Sequence, residues 1–332
     1  MRRAHGGATA LSVESSPLAF PTMTSTFRFA TQLDAPLTDT TWADTVREVE
    51  ALGYSTILVP DHFDEGLGPI AAMASAAAVS TTIKVGALVL DCDFRHPAVL
   101  ARELATIDLL SEGRLEVGIG AGWKRLDYDR SGIAMDPPGV RVSRMIEHAG
   151  ILRCLLRGET VTAQGENYRI TDLPGTPRSY RAEGPPFLVG GGAPRLLRFA
   201  GSFAEIVGVN ASIHSGEIDQ AAARDGTPDR IDEKFGWVRD GAGDRYDDIE
   251  FNAWLAAAEI TDDREGVGAM LGELFGVEPE TGLASPLALV GSVDQVIEEL
   301  EHRRNRWGYS YHVIPGDKAR DFAPVVARLT GT

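Results

Sequence analysis

The apolar positions between Ile83 and Trp123 fall into three consecutive patterns. IKVGALVL is a near-continuous apolar run of strand length, as a strand buried on both faces requires. After DCDFRHP, Leu100, Leu104, Ile107 and Leu110 recur at helical spacing. Pro97 stands where a helix can begin, because its missing N–H would be unpaired there anyway, and Gly113 stops the helix. Arg114 to Ile119 is a second apolar strand that opens into Gly120-Ala121-Gly122. Strand, helix and strand of this length form a parallel unit with a right-handed crossover.

The alternation continues on both sides. Strands are predicted at Phe27 to Leu33, Tyr54 to Val59, Phe187 to Val189, Glu205 to Val209, Ile249 to Leu255 and Tyr309 to Ile314. Helical periodicity covers Asp39 to Leu52, Ile70 to Ser80, Val140 to Leu156, Pro194 to Ala200, Asp262 to Phe275 and Ser292 to Arg306. Asp127 to Pro138 reads as an irregular insertion, and a polar loop follows Leu156 through Glu183. The charged stretch from His214 to Asp248 is given one helix, near Asp229 to Arg239. Some eight strands alternating with helices select a (β/α)8 TIM barrel over an open doubly wound sheet. Residues 1–26, rich in Ala, Ser, Thr and Pro, read as a disordered tail, and 27–332 as one barrel domain with insertions.

Composition narrows the partners. With 48 acidic against 32 basic residues and a formal charge of −16, nucleic acid and anionic membrane are poor partners, so a small molecule is expected. No window is apolar enough to span a bilayer, the tail has no signal-peptide core, and Cys92 and Cys154 make neither a disulfide framework nor a metal spacing. A cytoplasmic enzyme is the expectation, with a homodimer left open.

In a barrel, chemistry sits where strands end. Asp61-His62, Leu88 to Asp91, Gly120-Ala121-Gly122 and Gly190-Gly191-Gly192 occupy such ends. His62 could relay a proton or bond a ring; equally, Asp61 or Asp64 could hold it for loop structure. Three glycines ahead of a Pro-initiated helix let backbone N–H groups and the helix dipole reach a phosphate, although a tight turn also needs glycine. Gly118-Ile-Gly120-Ala-Gly122 lacks the spacing of a dinucleotide fingerprint. A Schiff-base mechanism needs a lysine at a strand's C-terminal end; of Lys84, Lys124, Lys234 and Lys318 only Lys124 is near one. The histidines are scattered, so no metal site is expected. What remains is a cofactor cradle.

Taken together, FRFATQL, EALGYSTILVPDHF, the block from Lys84 to Trp123, the DPPGVR turn, PPFLVGGGAPRLLRFA, IVGVN, LVGSVDQVIEEL and FAPVVARL resemble the bacterial luciferase-like oxidoreductase superfamily, and in particular its F420-dependent branch of actinobacteria. The resemblance implies a barrel whose mouth binds the deazaflavin F420, with FMN as the alternative. It implies a non-prolyl cis peptide near Leu88-Val89 behind the ring, ring contacts from Asp61 and His62, and backbone contacts from Ala121 and Gly122. Gly190, Gly191 and Gly192 match the loop around the cofactor phosphate. The sequence departs at Trp123, where sugar-phosphate dehydrogenases of the superfamily carry a Glu proton donor. That leaves His62 as the one acid–base candidate and Trp123 as a pocket wall or a packed aromatic. The expected reaction is hydride transfer between C5 of F420 and a small organic substrate, favouring reduction of an activated C=C or C=N bond. An FMNH2-dependent monooxygenase and a cofactor-binding barrel without catalysis are the rivals. Arg178, Arg181 and Arg195 are candidate contacts for the acidic tail of F420.

Overall fold

The computed structural model describes residues 25–63, 66–213 and 215–332. All but the last two residues of the expected tail lie outside the described residues.

Nine parallel segments form one sheet, and two of them are halves of a single interrupted strand, which leaves a barrel of eight. The strands are β1 (Arg28–Gln32), β2 (Thr56–Val59), β3 (Lys84–Ala87, resumed at Leu90–Asp91), β4 (Leu115–Gly120), β5 (Phe187–Gly191), β6 (Ile206–Val209), β7 (Glu250–Trp254) and β8 (Tyr309–Pro315). Closure is the parallel pairing of β1 with β8, in register from Arg28↔Tyr311 to Gln32↔Pro315. Around it run α1 (Trp42–Ala51), α2 (Pro69–Val79), α3 (Pro97–Leu110), α4 (Arg125–Ser131), α5 (Pro138–Leu156), α6 (Pro194–Phe203), α7 (Gln220–Asp225), α8 (Pro228–Ala242), α9 (Arg264–Phe275), α10 (Pro279–Ala284), α11 (Val293–Trp307) and α12 (Ala323–Leu329).

Successive strand residues point in opposite directions, so each strand feeds two cores. Ala30, Leu58, Leu188, Ile206, Tyr311 and Val313 fill the barrel interior. Phe29, Ile57, Val85, Val117 and Val207 face the helices. This is why the strands read as continuous apolar runs.

The end where the strands start is plugged by charge. Glu116 has a fully buried side chain and takes Arg28 Nη1 at 2.8 Å, Lys84 Nζ at 2.9 Å and the Tyr311 hydroxyl at 2.9 Å. Burial opposes ionisation of Glu116, yet Arg28 and Lys84 hold its pKa below the ordinary carboxylate range. With this end sealed, ligands can enter only at the other.

Three local expectations are corrected, and one further element was not foreseen. The polar loop after Leu156 is an antiparallel hairpin, Thr160–Gln164 with Arg169–Pro174, in whose strands only Val161 and Ile170 are buried. So thin an apolar signal does not show as alternation. The insertion after Trp123 contains α4, which ends on Gly132 in the left-handed region at φ 75°. The charged stretch holds two helices, α7 and α8, because Asp219 caps the first by accepting from Ala222 N. Beyond β7, Ala257–Ile260 pairs with Ala288–Gly291 as a small parallel sheet, with α9 and α10 looped between them.

Candidate active site

The strand ends converge on one cavity of about 330 Å³ at the open mouth. Asp61, His62, Leu88, Val89, Ala121, Gly122, Trp123 and Gly190 to Gly192 all line it. These are the residues singled out from sequence, gathered from four separate strands.

His62 follows β2, and its Nδ1 lies 2.7 Å from Asp127 Oδ2. Asp127 also accepts from Phe63 N at 2.9 Å, and its side chain is 3% exposed. The carboxylate therefore fixes Nδ1 as the protonated nitrogen and leaves Nε2 to exchange a proton. Of the two partners weighed from sequence, Asp61 is bound to Arg95 instead and Asp64 lies outside the described residues; the partner found sits 65 residues away on α4. Trp123 packs edge-on to the His62 ring, centroids 5.6 Å apart, so it walls the cavity beside the imidazole.

Asp61 faces inward but is largely spent. Arg95 clasps its carboxylate with two bonds, 2.5 and 3.1 Å, and Asp91 N donates to it at 3.1 Å. Its role is to tie the end of β2 to β3 and α3.

Asp91, marked in the sequence only as the end of a strand and given no role, lines the same cavity. It accepts from the Tyr128 hydroxyl at 2.8 Å and from Asp93 N at 2.9 Å. Burial, with Asp93 and Asp61 close by, pushes its pKa up to about 7. It is therefore a second group able to hold or release a proton near neutral pH.

The glycines of the β4 run have a packing reason. A Cβ on Gly118 would lie 1.8 Å from Ala87 O, and one on Gly120 would lie 2.5 Å from Val89 Cγ2. They let β4 pass against the break in β3, where the Leu88–Val89 peptide is cis and non-prolyl, as the resemblance implies. Gly122, at φ +71°, would drive a Cβ to 1.8 Å from the Tyr128 hydroxyl. Arg141 on α5, itself buried, braces this turn through Ala121 O at 3.1 Å and Asp136 O at 2.9 Å.

On the opposite wall, Gly190 to Gly192 run into α6, whose N-terminus no side chain caps and whose first residue is Pro194. Gly192 is needed for close approach: its Cβ would sit 2.4 Å from Ser212 N in the loop after β6. That loop is pinned from below. Lys234, fully buried on α8, donates to Asn210 O at 2.9 Å and to Asp225 Oδ2 at 2.5 Å, and Asp225 Oδ2 accepts from Ser212 N at 2.8 Å. Burial alone would raise the Asp225 carboxyl, but these bonds hold it below its ordinary range.

Of the three arginines proposed for an acidic tail, Arg178 and Arg181 are misplaced. Arg178 packs on Gly158 and Arg181 near Gly113, the turn that enters β4 at the sealed end. Arg195 sits on the first turn of α6 but donates to Gly139 O at 3.0 Å and to Ser143 Oγ at 2.8 Å.

The residues fit a flat, phosphorylated cofactor: an apolar strip at Leu88, Val89 and Ala121 faces free helix-terminal N–H groups across a space of ligand size. Fold and site together define a (β/α)8 barrel with a ligand-sized cavity at its mouth. The luciferase-like monooxygenase family model matches residues 22–225, and the chain belongs to that family. It is 36% identical over 168 residues to an F420-dependent glucose-6-phosphate dehydrogenase of Intrasporangium calvum, covering 47% of this chain and 49% of that protein. In that match the chain spans about half the relative's length. It is 26% identical to a sulfoquinovose monooxygenase of Agrobacterium fabrum over 320 residues, 86% of this chain and 80% of the relative. The F420-dependent tetrahydromethanopterin reductase of Methanopyrus kandleri has the same fold, with a TM-score of 0.71 at 19% identity over 92% of this chain and 99% of that one.

Proposed function

We propose that this chain is an oxidoreductase that binds F420 in the barrel mouth and reduces an activated C=C or C=N bond of a small organic substrate. The observation that carries the reading is one cavity holding the His62–Asp127 pair on one wall and the uncapped N-terminus of α6 on another. When bound, F420 supplies hydride transfer, chemistry that no side chain can perform. The chain's residues do the rest. Leu88, Val89, Ala121 and Gly122 would back the ring and keep water from it. The N–H groups after Gly192, with the α6 dipole, would hold the phosphate. His62 Nε2 would pass a proton to or from the substrate while Asp127 keeps Nδ1 protonated, and Trp123 would close the space above.

The acid–base equipment supports reduction over sugar-phosphate oxidation, because Trp123 occupies the Glu donor's position. The match to a monooxygenase over most of both chains supports monooxygenation as the second reading, for which FMN is the alternative cofactor.

Binding titrations with F420 and with FMN, each oxidised and reduced, separate the readings. F420 binding at least tenfold tighter than FMN, with reduced F420 consumed by an enone, is the expected result. The reverse preference, with oxygen uptake, would replace it by the monooxygenase reading.

A further inference from the structure

Beyond the proposed cofactor face, the cavity extends under the insertion that follows β7. This side is lined by Ala222 and Ala223 of α7, Leu271 and Phe275 of α9, Val277 and Leu287. It has a support of its own, a separate buried cluster of Leu271, Ala288 and Val290 packed with Val267, Phe275 and Leu283. Its polar groups are few: Thr281 and Ser285 line it, and the Ser285 hydroxyl is spent on Gly226 O at 2.7 Å.

Charge is placed elsewhere. Among the described residues, the cations lining the cavity are Lys124 and Arg141, both across the mouth beside the β4 turn. Arg141 is committed to the backbone carbonyls that brace that turn. An anion pushed against α9 would lose its hydration with no countercharge, which is costly. The chain's net charge of −16 would also repel it on approach. A hydrocarbon group there gains on both counts.

We propose that this compartment is the substrate's own, and that it selects an uncharged molecule with an alkyl or alicyclic body and excludes sugar phosphates. The inference rests on the cofactor reading above for the other half of the cavity.

Calorimetric titration of the full chain, with and without saturating F420, tests it with methyl ketones from butanone to decanone and with glucose 6-phosphate as probes. The affinity is expected to climb about fourfold per methylene until the compartment is full, with no measurable binding of the sugar phosphate. Phe275→Ala should flatten the climb, and Phe275→Leu should keep it, which separates lost apolar lining from misfolding. Affinity independent of chain length, or glucose 6-phosphate binding as tightly as the longer ketones, overturns the proposal. A climb seen without any F420 binding would sink the cofactor reading and leave the apolar compartment standing. F420 binding with a flat series would do the opposite.

Discussion

A histidine exchanges a proton with a bound molecule through a free ring nitrogen, and a partner on the other nitrogen sets its tautomer and orientation; Asp127 is that partner for His62. His62→Ala should lower kcat by about a hundredfold or more, the scale of general acid–base catalysis. Asp127→Asn should lower it by roughly ten- to a hundredfold, as loss of an orienting partner does. Steady-state rates with F420 bound check both; equal rates in all three proteins would remove His62 from the mechanism. Asp91 makes a separate prediction. Its pKa is about 7 in the folded chain against about 3.9 when unfolded, so the unfolded chain sheds its proton first. Ionisation therefore works against folding progressively from about pH 4 to pH 7, then levels off. Asp91→Asn should gain in Tm over the natural protein across that window, and a difference constant with pH would contradict the assignment. His62 was visible in the sequence because it ends a strand. Asp127 was not, because only the fold carries α4 back over β2, and Asp91 was hidden because burial, not residue type, makes it reactive.

At the scale of elements, the site depends on two loops held from behind. Lys234→Met removes the buried partner of Asp225 but leaves Arg230 on its Oδ1 at 3.0 Å, so chemical denaturation should show a loss on the order of 1–3 kcal/mol. The loop from Asn210 to Ser212 would loosen with it, weakening whatever binds at the N-terminus of α6. Gly122→Ala forces a side chain into the left-handed region and onto the Tyr128 hydroxyl, which should cost on the order of 1–3 kcal/mol before any repacking. A stability loss in Lys234→Met no larger than that of an exposed Lys→Met control would show that the clamp carries no weight. Regular strands and amphipathic helices were legible from period alone. The hairpin after Leu156 was not, since its apolar face is two residues wide. The parallel pair beyond β7 was missed because its two strands lie apart in the chain and pair only with each other.

Over the whole molecule, the barrel buries a charge cluster around Glu116 where its strands start and opens its cavity where they end. Glu116 is held ionised by Arg28 and Lys84, so its contribution is present above about pH 4.3 and is lost as pH falls through its lower folded value. Glu116→Gln should lower Tm at neutral pH and narrow the gap to the natural protein in acid; a gap that widens in acid would reverse the sign. The eight-fold alternation made the barrel readable, because buried parallel strands and their helices leave the strongest periodic signal a chain can carry. The cavity was readable only at its strand ends; α9 was legible as a helix, but nothing in its periodicity marks Leu271 and Phe275 as a cavity wall.

The most direct test of the central claim is a crystal structure of the chain grown with F420. The deazaflavin ring should lie against Leu88, Val89 and Gly122, the phosphate at Gly192 and the start of α6, and His62 Nε2 should face the open side of the ring. A cofactor bound outside the mouth, or a mouth left to solvent at saturating F420, would contradict it.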